Sequence, residues 1–198
     1  MNELIRAVTE ADSPDRMLAA VQNLALAKDV AAIPTLIAVF GYNNPAAAVV
    51  AVSGLIELGE SSVPQLLLQI DDYNYGARAY SIRTLAAIAD PRALQLLLSA
   101  AATDFAPSVR RAAAKGLGKL HWDKLDGEES SKAQKQALAT LLSISHDSDW
   151  SIRYAAIVGL QALTKIPDLQ QSIQTRLEEM FATDKEKAVR ARVQMAQM

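Results

Sequence analysis

The sequence predicts an all-α chain built as a solenoid of about five to six stacked two-helix repeats, on three observations. First, apolar residues recur at intervals of three and four through most of the 198 residues, the period of a helix with one buried face, and no stretch alternates as a half-buried strand would. Second, Pro and Gly punctuation interrupts that period at "AAIP" before Thr35, "GESSVP" before Gln65 and "ADPRA" at 89–93, so the helices are short and paired. Third, the chain repeats itself. YGARAYSIRTLAAIADPRALQLLL (75–98), PSVRRAAAKGLGKL (107–120) and WSIRYAAIVGLQAL (150–163) each set an arginine seven residues before a leucine, with small residues between.

Taken in order, the first copy centres on Leu24 in RMLAAVQNLALA and the second on Leu55 in AAAVVAVSGLIEL; both keep the apolar pattern without the arginine. The third, fourth and fifth carry the pairs Arg78/Leu85, Arg110/Leu117 and Arg153/Leu160. The partial copy DKEKAVRARVQMAQM has Arg190 in the arginine position, with an apolar face that a neighbour would cover. Anchor leucines 24, 55, 85, 117 and 160 stand 31, 30, 32 and 43 residues apart, so an insertion of about a dozen residues is expected around 119–134, in KLHWDKLDGEESSKAQ. One repeat domain over 1–198 is expected.

An aspartate precedes each arginine by six residues: Asp72/Arg78, Asp104/Arg110, Asp147/Arg153 and Asp184/Arg190. It falls in the loop that opens the arginine helix, where a carboxylate accepts from free backbone N–H groups and pairs with arginines of its own or the next repeat. These residues are expected to form a structural ladder.

The composition excludes several kinds of chemistry. With 20 Lys and Arg against 22 Asp and Glu, interspersed, there is no basic field for a phosphate backbone, so nucleic acid is not expected as a partner. The chain has no cysteine and two distant histidines, His121 and His146, so a thiol nucleophile and thiolate metal ligation are excluded and neither a triad nor a metal site is expected. No phosphate-cradling glycine loop is present; "GLGKL" (116–120) sits at a helix C-terminus, where the dipole disfavours phosphate. The acidic start MNELIRAVTEADSP does not read as a signal peptide, and no apolar stretch of bilayer-spanning length is expected. A cytoplasmic location follows from these absences.

What the repeat does not require points to a binding edge. Tyr73 and Phe105 share one register position, Tyr75 and Trp150 another three residues before the arginine, and Tyr80 adds bulk where other copies have Ala112 and Ala155. Arg83, Arg92, Arg111 and Lys115 are cations outside the ladder register. Rings stack on conjugated planes and guanidinium groups hold carboxylates, so such an edge suits a flat, carboxylated ligand or a helical protein surface.

The D-x5-R-x6-L spacing with "DPRAL" between two helices resembles the HEAT-like repeats of the phycobilisome lyases. More narrowly, NYGARAYSIRTLAAIADPRAL followed by TDFAPSVRRAAAKGLGKL resembles the F-type subunit of the heterodimeric E/F phycocyanobilin lyases. The resemblance implies a right-handed α-solenoid and an E-type partner subunit. It also implies attachment of phycocyanobilin, as substrate rather than cofactor, through a thioether to a cysteine of the phycocyanin α subunit. The acceptor's sulfur would add to the ethylidene group of ring A; isomerising members use a cysteine in this subunit, and none exists here. Tyr73, Tyr75, Arg78, Tyr80 and Arg83 would line the bilin or acceptor surface, extended by Asp149, Trp150 and Arg153. Asp72, Asp104 or Asp149 could supply a carboxylate near the pyrrole nitrogens. The alternatives are a non-catalytic HEAT-repeat protein that binds phycobiliproteins in antenna assembly or degradation, a lyase for phycoerythrobilin, and a helical scaffold unrelated to pigments.

Overall fold

The computed structural model describes residues 1–70 and 74–197, which form helices, 3-10 turns and short connections without a strand. They divide into two compact units, Met1–Ile88 and Ala89–Met198.

The first unit contains α1 (Asn2–Thr9), α2 (Pro14–Leu26), α3 (Ile33–Ala38), α4 (Pro45–Leu58), α5 (Val63–Leu68) and α6 (Tyr75–Ile88). Helices α2, α4 and α6 pack side by side as the second helices of successive repeats. Their anchors Leu24, Leu55 and Leu85 have no exposed surface, which is what the leucine spacing demands of a residue at each inter-repeat seam. The starts are capped: Ser13, Asn44 and Asn74 accept from the backbone N–H of Arg16, Ala47 and Ala77. Asn44 also donates through Nδ2 to the Pro14 carbonyl at 2.9 Å, tying the start of α4 to that of α2.

Between repeats the chain reverses through a left-handed residue followed by a 3-10 turn. Lys28 (φ 50°) and Gly59 (φ 59°) hold this conformation after α2 and α4. Asp29 then accepts from the Ala31 N–H at 2.9 Å, an Asx turn that launches the 3-10 turn Val30–Ala32. Contrary to the sequence expectation, Pro45–Leu68 is apolar and long enough to cross a bilayer by length and composition, with 24 residues and a mean hydropathy of 1.4. The 3-10 turn Gly59–Ser62 divides it, and Ala47, Ala51, Leu55, Val63 and Leu66 on its two helices are buried in the unit's core.

The second unit contains α7 (Leu94–Thr103), α8 (Pro107–Leu117), α9 (Gly127–Ile144), α10 (Trp150–Leu163), α11 (Pro167–Thr183) and α12 (Lys187–Gln197). Helices α8, α10 and α12 stack in one layer against α7, α9 and α11, and Leu117 and Leu160 are fully buried between them. Ala89 (φ 61°) opens the unit in the left-handed region, and its carbonyl accepts from the His121 N–H at 2.9 Å. The insertion becomes a 3-10 turn, Trp122–Lys124, and the first turns of a long α9. Asp126 caps that helix on the Glu129 N–H at 3.0 Å, Glu128 and Glu129 suit its N-terminal dipole, and Ala133, Ala137 and Leu141 extend the buried stripe. Trp122 is half-buried, and its carbonyl accepts from Ser130 Oγ at 3.1 Å.

Helices α8 and α10 approach until only glycine fits. A Cβ on Gly118 would lie 2.2 Å from the Gly159 carbonyl oxygen, and one on Gly159 would lie 2.5 Å from that of Ala114. Gly118→Ala is therefore expected to cost about 1–3 kcal/mol through overpacking, whereas Ala89→Gly, which relieves a left-handed alanine, is expected to hold or raise stability. Urea unfolding of both variants checks this opposite pair of signs.

Candidate functional site

The aspartate and arginine ladder organises the second unit. Arg110 donates through Nε to the Ala101 carbonyl at 3.0 Å and through Nη2 to Asp147 Oδ2 at 2.6 Å, reaching into the next repeat. Arg153 repeats the motif one repeat on. It grips Asp184 with Nε and Nη2 at 2.7 and 2.8 Å, while Nη1 donates to the carbonyls of Asp147 and Ser148. Arg190 donates to the Asp184 carbonyl. Each aspartate also folds its own loop, because Asp104, Asp147 and Asp184 accept from the N–H two residues on, those of Ala106, Asp149 and Glu186. The Arg153 guanidinium, hydrogen-bonded to it, holds the Asp184 carboxyl below the usual carboxylate range against an opposing effect of burial. Asp184 in turn raises the Arg153 pKa.

With the ladder arginine held inward, positions three before, one after and five after it lie one turn apart on a single face of each second helix. On α6 that face carries Tyr75, Ala79 and Arg83; on α8, Pro107, Arg111 and Lys115; on α10, Trp150, Tyr154 and Val158. Tyr75 and Trp150 are 43% and 46% exposed. In the second unit Arg111, Lys115, Trp150, Ser151, Tyr154 and Ala188 line one open groove of about 480 Å³, within the range of small-molecule sites. Arg111 Nη1 donates to Ser151 Oγ at 3.0 Å across the two helices. Asp149 caps α10 on the Ser151 N–H at 2.8 Å. Its hydrogen bonding to Ser151, first, and the nearby charges of Arg111 and Arg110 lower its pKa. The groove thus offers ring faces for a conjugated plane and cations for carboxylates.

The sequence-selected residues divide accordingly. In the first unit Tyr75 and Arg83 lie on the outward face of α6; in the second Trp150 lies on that of α10, with Asp149 at the head of the helix. Arg78 stands half-buried on α6, and Arg153 is committed to Asp184. Tyr80 rests on buried Phe40, ring centroids 5.5 Å apart, so much of its bulk serves packing. Phe105 is 76% exposed. Arg92 braces its turn by pairing bidentately with Asp90 at 2.8 Å. Asp72 and Tyr73 lie outside the described residues. Tyr154 was absent from the sequence selection; its signal is the four-residue step from Trp150, which puts both rings on one helix face. Among the described residues no group of three His, Asp or Glu side chains converges as a metal site would need.

A family model described as HEAT repeats matches residues 63–133. The phycocyanobilin lyase subunit beta of Nostoc sp. (strain PCC 7120) is 72% identical over 196 residues, 99% of this chain and 98% of that protein. The chain belongs to the phycocyanobilin lyase β-subunit family. A further member, the phycocyanin alpha phycocyanobilin lyase CpcF of Synechocystis sp. (strain PCC 6803), is 51% identical over 83% of this chain and 77% of its own length. A solved structure of the complex of CpcE and CpcF of phycocyanin lyase from Nostoc sp. PCC7120 contains a chain 74% identical to this family member, with a TM-score of 0.83, covering 86% of this chain and 100% of that one.

The depressed Asp184 pKa fixes the sign of one pH effect. Stability from its pairing is present above the unfolded value of about 3.9 and is lost as pH falls through the lower folded value. Asp184→Asn is expected to cost about 1–3 kcal/mol near neutrality, with the gap between variant and wild type narrowing as pH falls below the ordinary carboxylate value; thermal melts from neutral to acid pH measure it.

Proposed function

We propose that this chain is one subunit of a heterodimeric bilin lyase which, assembled with an E-type partner, attaches phycocyanobilin through a thioether to a cysteine of the phycocyanin α subunit. The observation that carries the proposal is the full-length 72% identity to a phycocyanobilin lyase subunit beta. The geometry agrees with the chemistry this requires. The acceptor thiol adds across the ethylidene double bond of ring A: a carbon–sulfur bond forms, the thiol hydrogen ends on the neighbouring ring carbon, and nothing is oxidised or reduced. The nucleophile belongs to the acceptor, which suits a chain without cysteine.

Its task is then positioning, which converts an encounter of pigment and thiol into an effectively intramolecular addition and keeps water and stray thiols away. Tyr75, Arg83 and Trp150 face pigment or acceptor, with Tyr73 beside them in sequence. Asp149 is the carboxylate we assign to the pyrrole nitrogens, because it is half-exposed beside the groove whereas Asp104 is buried in its loop. Arg78, Tyr80 and Arg153 hold the helices that carry these groups. The assembled lyase works as a soluble enzyme of the cytoplasm.

Co-expression with an E-type subunit, the phycocyanin α apoprotein and a phycocyanobilin source tests the proposal by covalent pigment on the α subunit under denaturing conditions. Pigment is expected only when this chain is included, and Trp150→Ala is expected to lower the attachment rate roughly five- to tenfold, the scale of one aromatic contact. Attachment that proceeds equally without the chain would leave a non-catalytic phycobiliprotein-binding role in its place.

A further inference from the structure

Arg110 and Arg153 are paired with carboxylates of the repeats that follow, whereas the cation beside Arg110 has a single hydroxyl partner among the described residues. Arg110 and Arg153 place their N–H groups on Asp147, Asp184 and main-chain carbonyls. Arg111, the next residue on α8, makes one hydrogen bond, from Nη1 to Ser151 Oγ at 3.0 Å. That bond comes from the neighbouring helix and fixes the guanidinium in the groove, and among the described residues its other donors meet no side chain or carbonyl. Lys115 stands one turn further along the same face, exposed. Among the described residues that line the groove none carries a carboxylate, so the lining holds two cations and no anion; Asp149, at the head of α10, accepts from the Ser151 N–H at 2.8 Å through one oxygen and keeps the other for a ligand. Trp150 and Tyr154 supply its ring wall, and Ala188 of α12 completes the lining.

A solvated charged face explains Arg111 and Lys115 singly. It does not explain why the guanidinium is anchored by a hydroxyl from the helix that presents two rings to the same 480 Å³ space. Planar cation, point cation and adjoining ring faces form together the complement of a carboxylate borne on a flat conjugated ring.

We propose that the groove lined by Arg111, Lys115, Trp150 and Tyr154 is a propionate subsite. Arg111 and Lys115 take a propionate of the bilin, Trp150 and Tyr154 lie against the pyrrole that bears it, and the pair selects the free acid over an esterified pigment. This rests on the lyase reading above for the identity of the ligand. Ser151 is the positioning residue that orients Arg111.

The test titrates the lyase heterodimer, by visible absorbance and circular dichroism, with phycocyanobilin and with its dimethyl ester. Wild type is expected to bind the free acid about tenfold more tightly, the scale of one charge-assisted contact. Arg111→Met with Lys115→Met is expected to lose about tenfold for the free acid and nothing for the ester, whose unchanged binding also reports an intact fold. Ser151→Ala is expected to lose a few-fold for the acid only, and Trp150→Ala to weaken both pigments alike. Equal binding of the two pigments by wild type, absence of binding included, overturns the subsite, as does discrimination that survives the double substitution. The same samples are scored for covalent attachment to the α subunit. Attachment by wild type with discrimination that the double substitution leaves unaltered sinks the subsite and spares the lyase reading; discrimination that the double substitution abolishes, with no attachment by wild type, does the reverse.

Discussion

The bidentate grip of Arg153 on Asp184, and the matching reach of Arg110 to Asp147, is the constraint on which the second unit depends. Each arginine is mostly shielded, with 16 and 17% of its side chain exposed, and each crosses to the repeat that follows while also bonding main chain that precedes its own helix, the Asp147 and Ser148 carbonyls of the loop for Arg153 and the Ala101 carbonyl in the last turn of α7 for Arg110. One side chain therefore fixes three things: the segment before the helix, the helix itself and the start of its neighbour. Removing a carboxylate from such a set strands a partly buried guanidinium, which is why a single change is felt across two repeats.

Close packing converts that constraint into a shared register. Gly118 and Gly159 let α8 and α10 meet backbone to backbone, and Gly54 does the same for α4 against Ala25 of α2, where an added Cβ would lie 2.8 Å from the Ala25 Cβ. In the second unit, α8 and α10, held this close with Arg110 and Arg153 turned inward, present equivalent positions on equivalent faces. The cations of α8 and the rings of α10 meet in one groove because both occupy the outward positions of the repeat. On the proposed reading, binding falls to the positions the repeat leaves unconstrained.

Much of this is legible in the sequence because the repeat is local and periodic. The five anchor leucines, Leu24 to Leu160, can be found by counting, and each is fully buried. The aspartate six residues before each arginine can be read as a loop-former, since an Asx turn needs only a carboxylate two residues before an N–H. What counting misses depends on distant contacts. Tyr80 looks like surplus bulk until Phe40 is found beneath it. The insertion is visible only as a gap in spacing, whereas its helix depends on Asp126 capping and on Ala133 and Ala137 continuing the stripe. Tyr154 passes for core in a helix of alanines and isoleucines, and becomes a groove residue only when α8 supplies the opposite wall.

On the proposed reading, a subunit without a nucleophile contributes to thioether formation through geometry, by presenting a rigid face to the pigment while a thiol from another protein approaches. We infer that the outward face of α8 and α10 is that surface. Amide hydrogen exchange of the assembled heterodimer with and without phycocyanobilin distinguishes it from the rest of the chain. New protection is expected in residues 107–117 and 150–158; protection confined to other segments while the pigment is bound would place the surface elsewhere.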